Sequence, residues 1–280
     1  MIGTKKTVMY HGLKITLTIK EGKMKTLHKI LLAGIIQLCF THLTYAESTL
    51  NKIQSSGVFK IGTEGAYAPF SYHDTSGKLT GFDVEIGREI ARRMKVEPEF
   101  IEGKWDGLIA GLDAGRSDAV MNQIAITPER QKKYIFSLPY VISEAVLITK
   151  TDNNTIKTFN DLKGRTSAHT LTNNFAQIAR QHGAEIIGTN GFNQEIELVS
   201  TGRADATIND KLSYLDYKKH RPEAPVKIVA ADTNAAQTAV LLRKNDTELK
   251  AAVDKAITEI NADGTYQRIW DKYFMSSLIH

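Results

Sequence analysis

The chain has 280 residues, 42% hydrophobic and 24% charged, ordinary proportions for a globular protein that holds one large domain or two lobes. Of its 36 basic and 31 acidic residues, seven Lys and one Glu fall within residues 1–46, so the remaining chain carries a net charge of −1 and the overall +5 gives no footing to a nucleic-acid partner. The one cysteine, Cys39, lies in the same leader, which leaves the rest without a disulfide, a thiol nucleophile or a Cys-based zinc site.

Within the leader, Met24-Lys25-Thr26-Leu27-His28-Lys29 is a basic segment, Ile30–Phe40 is an apolar run, and Thr44-Tyr45-Ala46 offers small residues for a peptidase. These are the three parts of a secretory signal, and the run is short for a membrane span. The sequence therefore predicts a signal peptide over 24–46 and a mature chain from Glu47. A lipid anchor on Cys39 is disfavoured by the bulky Leu38 before it. Residues 1–23 fit no part of a signal. Lys20-Glu21-Gly22-Lys23 reads as a translated ribosome-binding site, which makes Met24 the expected start.

From there strands and helices alternate. Phe59–Thr63 is a strand that opens onto the loop Glu64–Phe70, where Gly65 and Pro69 forbid a helix. Phe82–Met94 has apolar residues at helical spacing, Val96–Ile101 is a strand and Trp105–Leu112 a helix. Gly111–Gln123 then runs from a helix end, Gly-Arg-Ser-Asp-Ala, into an apolar strand over Asp118–Gln123 with amides at its exit. Thr127-Pro128 starts a helix, with Thr as cap and Pro first. Ser143–Thr149 is β-rich, Phe159–Gly164 a short helix closed by Gly, Thr166–His169 a strand, Thr172–His182 a helix, Ile186–Gly188 a strand and Asn193–Ser200 a helix. Gly-Arg-Ala-Asp-Ala then recurs at Gly202–Ala206 and leads through the strand Ala204–Ile208 to Asn209-Asp210, where a helix starts near Lys211. Val226–Ala230 and Thr238–Leu242 are strands, and Thr247–Phe274 is helical with a break at Ala262-Asp263-Gly264. This alternation predicts an α/β protein with parallel pairing. The repeated unit predicts two lobes, each turning a strand edge toward a shared cleft. Lobe 1 comprises 47–144 and 239–280, lobe 2 comprises 145–238, and the crossings lie near 142–148 and 234–240.

Four ordered motifs carry a resemblance over about Phe59 to Phe274. They are Gly62-Thr63-Glu64-Gly65-Ala66-Tyr67-Ala68-Pro69-Phe70, Gly81-Phe82-Asp83-Val84-Glu85-Ile86, Ile126-Thr127-Pro128-Glu129-Arg130 and Phe136-Ser137-x-Pro139-Tyr140. Together they resemble the amino-acid-binding branch of the periplasmic solute-binding proteins of ABC importers. Val120–Thr127, Ser167-Ala168-His169-Thr170 and Asn209–Tyr217 are most similar to cystine-binding members. The resemblance implies a type II periplasmic-binding-protein fold, with a ligand cleft between lobes joined by two hinge crossings. It also implies a monomer that binds a polar amino acid, L-cystine, in the periplasm and delivers it to an ABC permease, without cofactor, metal or catalytic residue.

A free amino acid brings a carboxylate and an ammonium, and a site must meet both charges. Arg130 suits the carboxylate through its planar fork and stands where the resemblance places carboxylate binding; the alternative is a solvated Arg beside Lys132 and Lys133. Asp210 suits the ammonium, and as readily caps the helix at Lys211. Thr172 and Asn173 begin the lobe 2 helix, whose free amides can hold the same carboxylate or simply be capped by Thr172. The resemblance places Tyr67, Phe70 and Trp105 around the ligand side chain, though Phe70 and Trp105 also read as ordinary core, and it makes Glu64 a pocket acid. Ala125 replaces the Ser or Thr of basic-amino-acid and glutamine binders, and Asn122 and Gln123 offer amides to a polar, second amino-acid group. An enzymatic alternative is a dehydratase of the cyclohexadienyl type on the same fold, but no nucleophile constellation or His–carboxylate spacing supports one. A receptor ectodomain would need a membrane span or signalling domain after Phe274.

Overall fold

The computed structural model describes residues 4–10, 13–19 and 47–275. Thr4–Tyr10 and Leu13–Ile19 pair as an antiparallel ribbon, in the segment the sequence reading places before the start codon. The expected signal peptide, 24–46, and Cys39 lie outside the described residues. From Ser48 onward the chain forms a separate unit.

That unit contains two five-stranded sheets. In the first, the order is Glu97–Glu102, Val58–Thr63, Ala119–Val120, Leu241–Arg243, Tyr134–Phe136; in the second it is Glu185–Gly188, Thr166–His169, Ala206–Asp210, Ala145–Lys150, Val226–Ala231. Alternation of strands and helices predicts parallel pairing throughout, but both sheets are mixed. Val58–Thr63 runs parallel to both neighbours, and so does Thr166–His169. Leu241–Arg243 and Ala145–Lys150 instead pair antiparallel on both sides. These two strands follow the crossings between sheets, so they enter from the cleft end rather than through a returning helix. At the crossings, Val141–Ser143 and Ala236–Thr238 pair antiparallel, with Val141 opposite Thr238. The expected single strand Thr238–Leu242 is thus two short ones, Ala236–Thr238 in the crossing and Leu241–Arg243 in the sheet.

Several helices begin at a side-chain cap. Thr127 accepts from the Arg130 amide at 3.2 Å ahead of Pro128–Lys133, the arrangement expected of Thr before Pro. The lobe 2 helix starts two residues later than its sequence suggests: Asn173 is the cap, the helix runs Asn174–Gln181, and Thr172 lies exposed outside it. Asn wins because its carbonyl reaches the Ala176 amide at 2.6 Å. The strand expected over Asp118–Gln123 shrinks to Ala119–Val120; beyond it Gln123 turns to φ +50° and leaves the sheet.

The C-terminal helices, Thr247–Ala262 and Thr265–Trp270, close the core of the first lobe. Phe82 is fully buried and packs against Tyr266, Trp270 and Phe274 at ring-centroid distances of 5.8, 5.7 and 5.1 Å. Gly81 sets where this cluster begins. Its φ is +124°, and a Cβ there would lie 2.2 Å from the Phe70 carbonyl oxygen, because Phe82 and Asp83 donate their amides to the Pro69 and Phe70 carbonyls at 2.9 Å each. The loop that carries Tyr67 is therefore tied to the helix Phe82–Arg93 through an approach only glycine allows. Replacing Gly81 by Ala is expected to lower stability by about 1–3 kcal/mol, read as a lower urea midpoint at unchanged slope; an unchanged midpoint would show that the loop absorbs the methyl group.

Candidate functional site

Strand ends of the two lobes face one another across a narrow cavity. Glu64, Tyr67, Trp105, Asn122 and Gln123 line it from the first lobe, and Thr170, Asn173, Asn174, Phe175, Gly191, Phe192, Glu195 and Asn209 from the second. Glu64 follows the strand Val58–Thr63, Asn122 and Gln123 follow Ala119–Val120, Thr170 follows Thr166–His169, and Asn209 is the next-to-last residue of Ala206–Asp210. These are the carboxyl ends, where open α/β sheets gather ligands. The cavity measures about 30 Å³, on the scale of water molecules rather than of an amino acid, because the lobes touch. Tyr67 donates its hydroxyl to Asn209 Oδ1 at 2.8 Å, and its ring meets that of Phe192 edge-on at 6.4 Å. The Thr172 amide and hydroxyl both donate to Asp106 Oδ1, at 3.1 and 2.6 Å, and Lys104 Nζ donates to Asn190 Oδ1 at 3.1 Å.

The candidates separate into wall, backing and core. Glu64, Tyr67, Trp105, Asn122, Gln123 and Asn173 are in the wall. Arg130, Asp210 and Ala125 stand behind it. Phe70 is core: it is 0% exposed and packs against Tyr67 and Phe274 at 5.6 and 5.8 Å, so the ordinary-core alternative holds at that position. Thr172 belongs to the rim, where it bonds Asp106 and not a helix terminus. Asn122 is not a free amide either. Its Oδ1 accepts from the Glu64 amide at 2.8 Å and its Nδ2 donates to Glu64 Oε2 at 2.6 Å, so it holds Glu64 in place. Asp83 does the same for the Gln123 backbone, accepting from its amide at 2.6 Å.

Charge in and behind the wall lacks counter-charge. Arg130 is 9% exposed. It donates to the Ala125 carbonyl at 2.8 Å and lies 5.5 Å from the Trp105 ring centroid, and among the described residues no carboxylate pairs with it. Burial pulls it down to about 10. Asp210 is 6% exposed and caps the helix Lys211–His220, accepting from the Leu212 and Ser213 amides at 2.8 and 3.4 Å. Burial lifts it to about 6, against hydrogen bonds from Ser143 and those two amides. Burial also lifts Glu64 to about 7, with Asn122 and the Trp105 amide pulling the other way.

Glu195 escaped the sequence reading. It is 1% exposed and accepts from Asn209 Nδ2 at 2.9 Å, Thr207 Oγ1 at 3.2 Å and the Thr170 amide at 3.2 Å. Burial lifts it to about 8, eased by those bonds and reinforced by the charge of Glu64. The signal was present, since Phe192, Glu195, Ile196 and Val199 form one buried helical stripe and an acid on an apolar stripe asks for a reason. His169, by contrast, is a buried neutral imidazole driven to about 3 by burial and joined to Ser167 Oγ at 2.8 Å; it does not reach the cleft wall. No group of residues that could hold a metal ion occurs among the described residues.

A carboxyl whose pKa is raised on folding keeps its proton where the unfolded chain has lost it, so stability falls as pH rises through that window. For Glu64 and Glu195 the windows run from 4.5 to about 7 and from 4.5 to about 8. The ligand-free protein is therefore expected to melt higher at about pH 5.5 than at about pH 8, and Glu195→Gln is expected to flatten the slope. Thermal melts in buffers of matched ionic strength check this, and a midpoint that rises with pH would contradict it.

Residues 59–276 match the family model described as bacterial extracellular solute-binding proteins, family 3. A probable amino-acid ABC transporter-binding protein of Haemophilus influenzae is 41% identical, over 87% of this chain and 94% of its own. The L-cystine-binding protein TcyA of Bacillus subtilis is 43% identical, over 79% and 83%. Among solved structures, an ancestral arginine-binding protein bound to arginine superposes with a TM-score of 0.74 at 34% identity, covering 78% of this chain and 98% of its own. The L-cystine solute receptor of Neisseria gonorrhoeae, unliganded and open, is 42% identical but superposes at 0.55, covering 81% and 97%. That receptor is described as open, whereas here the lobes meet through Tyr67–Asn209 and Asp106–Thr172. The match over most of its length, together with a cleft lined from two lobes at their strand ends, makes this chain a member of family 3 of the bacterial extracellular solute-binding proteins, of the kind that serves amino-acid ABC transporters.

Proposed function

We propose that this protein is exported through a signal peptide over 24–46, binds L-cystine in the periplasm as a monomer, and delivers it to an ABC permease without catalysing any reaction. Lobe 1, 47–144 with 239–280, and lobe 2, 145–238, close on the ligand by bending at the paired crossings Val141–Ser143 and Ala236–Thr238. The observation that carries the reading is a buried cation on one lobe, Arg130, and a buried anion on the other, Asp210, neither with a partner of opposite charge among the described residues. A zwitterionic amino acid supplies both partners. Arg130 takes the carboxylate with Asn173 and the helix it caps, and Asp210 takes the ammonium while keeping its cap. Because the cavity of the closed arrangement is small, the ligand enters with the lobes parted and is gripped as they return. Cystine is favoured over other polar amino acids by the relatives named for it, and by Ala125, whose methyl group offers no side-chain hydroxyl to a glutamine or a basic amino acid.

A thermal-shift screen over the amino acids, with cystine and cysteine under controlled redox, tests the ligand; a larger shift with glutamine or arginine than with cystine would overturn it. Incubation with arogenate or prephenate tests the absence of turnover, and any product would restore the dehydratase reading. For the pairing, Arg130→Lys keeps the charge but loses the fork, and Asp210→Asn keeps a competent cap but loses the counter-charge. Each is expected to weaken binding by about 2–5 kcal/mol while the ligand-free melting temperature stays the same or, for Asp210→Asn, rises. Unchanged affinity in both would misplace the site. A melting temperature lowered by Asp210→Asn at unchanged affinity would reduce Asp210 to a helix cap.

A further inference from the structure

We propose that Glu195, facing Glu64 across the cleft with Gln123 beside them, forms a second zwitterion subsite that takes the distal ammonium and carboxylate of a ligand with two α-amino-acid ends. This rests on the amino-acid-binding reading above and concerns the end of the ligand that Arg130 and Asp210 do not hold. The geometry has three parts. Glu195 and Glu64 line the same cavity from opposite lobes, and no lysine or arginine is among the residues that line it. Glu64 extends to the second lobe: a Cβ built on Gly191, the residue that precedes the helix bearing Glu195, would lie 3.8 Å from Glu64 Oε1. Third, the side-chain amide of Gln123, 7% exposed, has neither its Oε1 nor its Nε2 engaged, although the backbone of that residue is pinned by Asp83.

Such an amide offers one acceptor and one donor. A lone side-chain cation would use the acceptor and leave Nε2 idle, whereas an ammonium with its carboxylate uses both. The carboxyls then face the ammonium, and the Gln123 Nε2 and the unpartnered Trp105 Nε1 are the donors for the carboxylate. Glu195 is suited to this role because its orientation is already set. The donors from Asn209, Thr207 and Thr170 all come from its own lobe, and they favour the ionised form once a cation arrives. The purely structural alternative is that Glu195 only ties the helix Phe192–Ser200 to the strand Ala206–Asp210.

The test compares L-cystine with the mixed disulfide of cysteine and 3-sulfanylpropanoic acid, which keeps the distal carboxylate and lacks only the distal ammonium. By calorimetry at pH 7, the native protein is expected to prefer cystine by about thirtyfold or more. In Glu195→Gln the preference should collapse to within about threefold, through loss of cystine affinity with the analogue bound as before. Equal binding of the two ligands by the native protein overturns the subsite while leaving the cystine reading intact, and this arm needs no variant to fold. A variant that keeps the full preference also overturns it and makes Glu195 structural. If cystine does not bind while another amino acid does, the reading of the ligand falls, and the two-ended subsite with it.

Discussion

Buried charge without counter-charge is the constraint on which this structure turns. Arg130, Asp210, Glu64 and Glu195 are all withdrawn from water, and none has an opposite charge against it among the described residues. An ion in such surroundings either finds a partner or gives up its charge. The three acids move toward neutrality, to about 6, 7 and 8, while the guanidinium cannot follow at ordinary pH and leans on the Trp105 face and the Ala125 carbonyl. This is a destabilising arrangement for a protein alone, and it makes sense for one whose other half of the charges arrives with a small molecule.

The framework around the charges exists to keep them from solving the problem themselves. Each is held by hydrogen bonds from behind, at a strand end or helix start that the sheets fix. Asn122 holds Glu64 with both ends of its amide, its Oδ1 also accepting from Thr63 Oγ1. Thr127 caps the short helix from which Arg130 projects. The Leu212 and Ser213 amides hold Asp210, and Asn209 divides its amide between Glu195 and Tyr67. Asn209 thus bonds both the acid of the second lobe and the tyrosine of the first, so a change of charge at Glu195 is felt at the contact between lobes.

Much of this was legible in the residues, and the failures have physical reasons. The two Gly-Arg-x-Asp-Ala units placed Asn122, Gln123 and Asn209 at the cleft, with Asp210 just behind, because such a turn feeding an apolar strand must end at a sheet edge; Glu64 followed from the resemblance. Caps were legible where one residue type has no rival, as at Thr127 before Pro128, and misread where Thr172 and Asn173 compete. Parallel pairing was over-extended because the pattern of alternation cannot show that Ala145–Lys150 and Leu241–Arg243 enter their sheets from a crossing. Phe70 read equally as pocket aromatic or core, because its loop position alone does not fix where the ring packs; in the structure it is fully buried. Glu195 was missed because a glutamate two residues before another, exposed one, Glu197, reads as a solvated face. Only its register with Phe192, Ile196 and Val199 marks it as buried.

The contacts that hold the lobes together are of the opposite kind from the charges they enclose. Asp106–Thr172 and Lys104–Asn190 lie at the exposed rim, where water competes for every donor and each bond contributes about 1 kcal/mol at most. Tyr67–Asn209 is buried and, unlike the rim bonds of Asp106 and Lys104, joins two neutral groups, with a modest net effect. Closure by these alone stays within reach of thermal opening, as a protein that must admit and release cargo requires. On the proposed pairing, a ligand that brings its ammonium to Asp210 and its carboxylate to Arg130 adds charge-assisted bonds made only when both lobes are near. Its preference for the closed form over the open one, and not its total affinity, then sets how far the equilibrium moves.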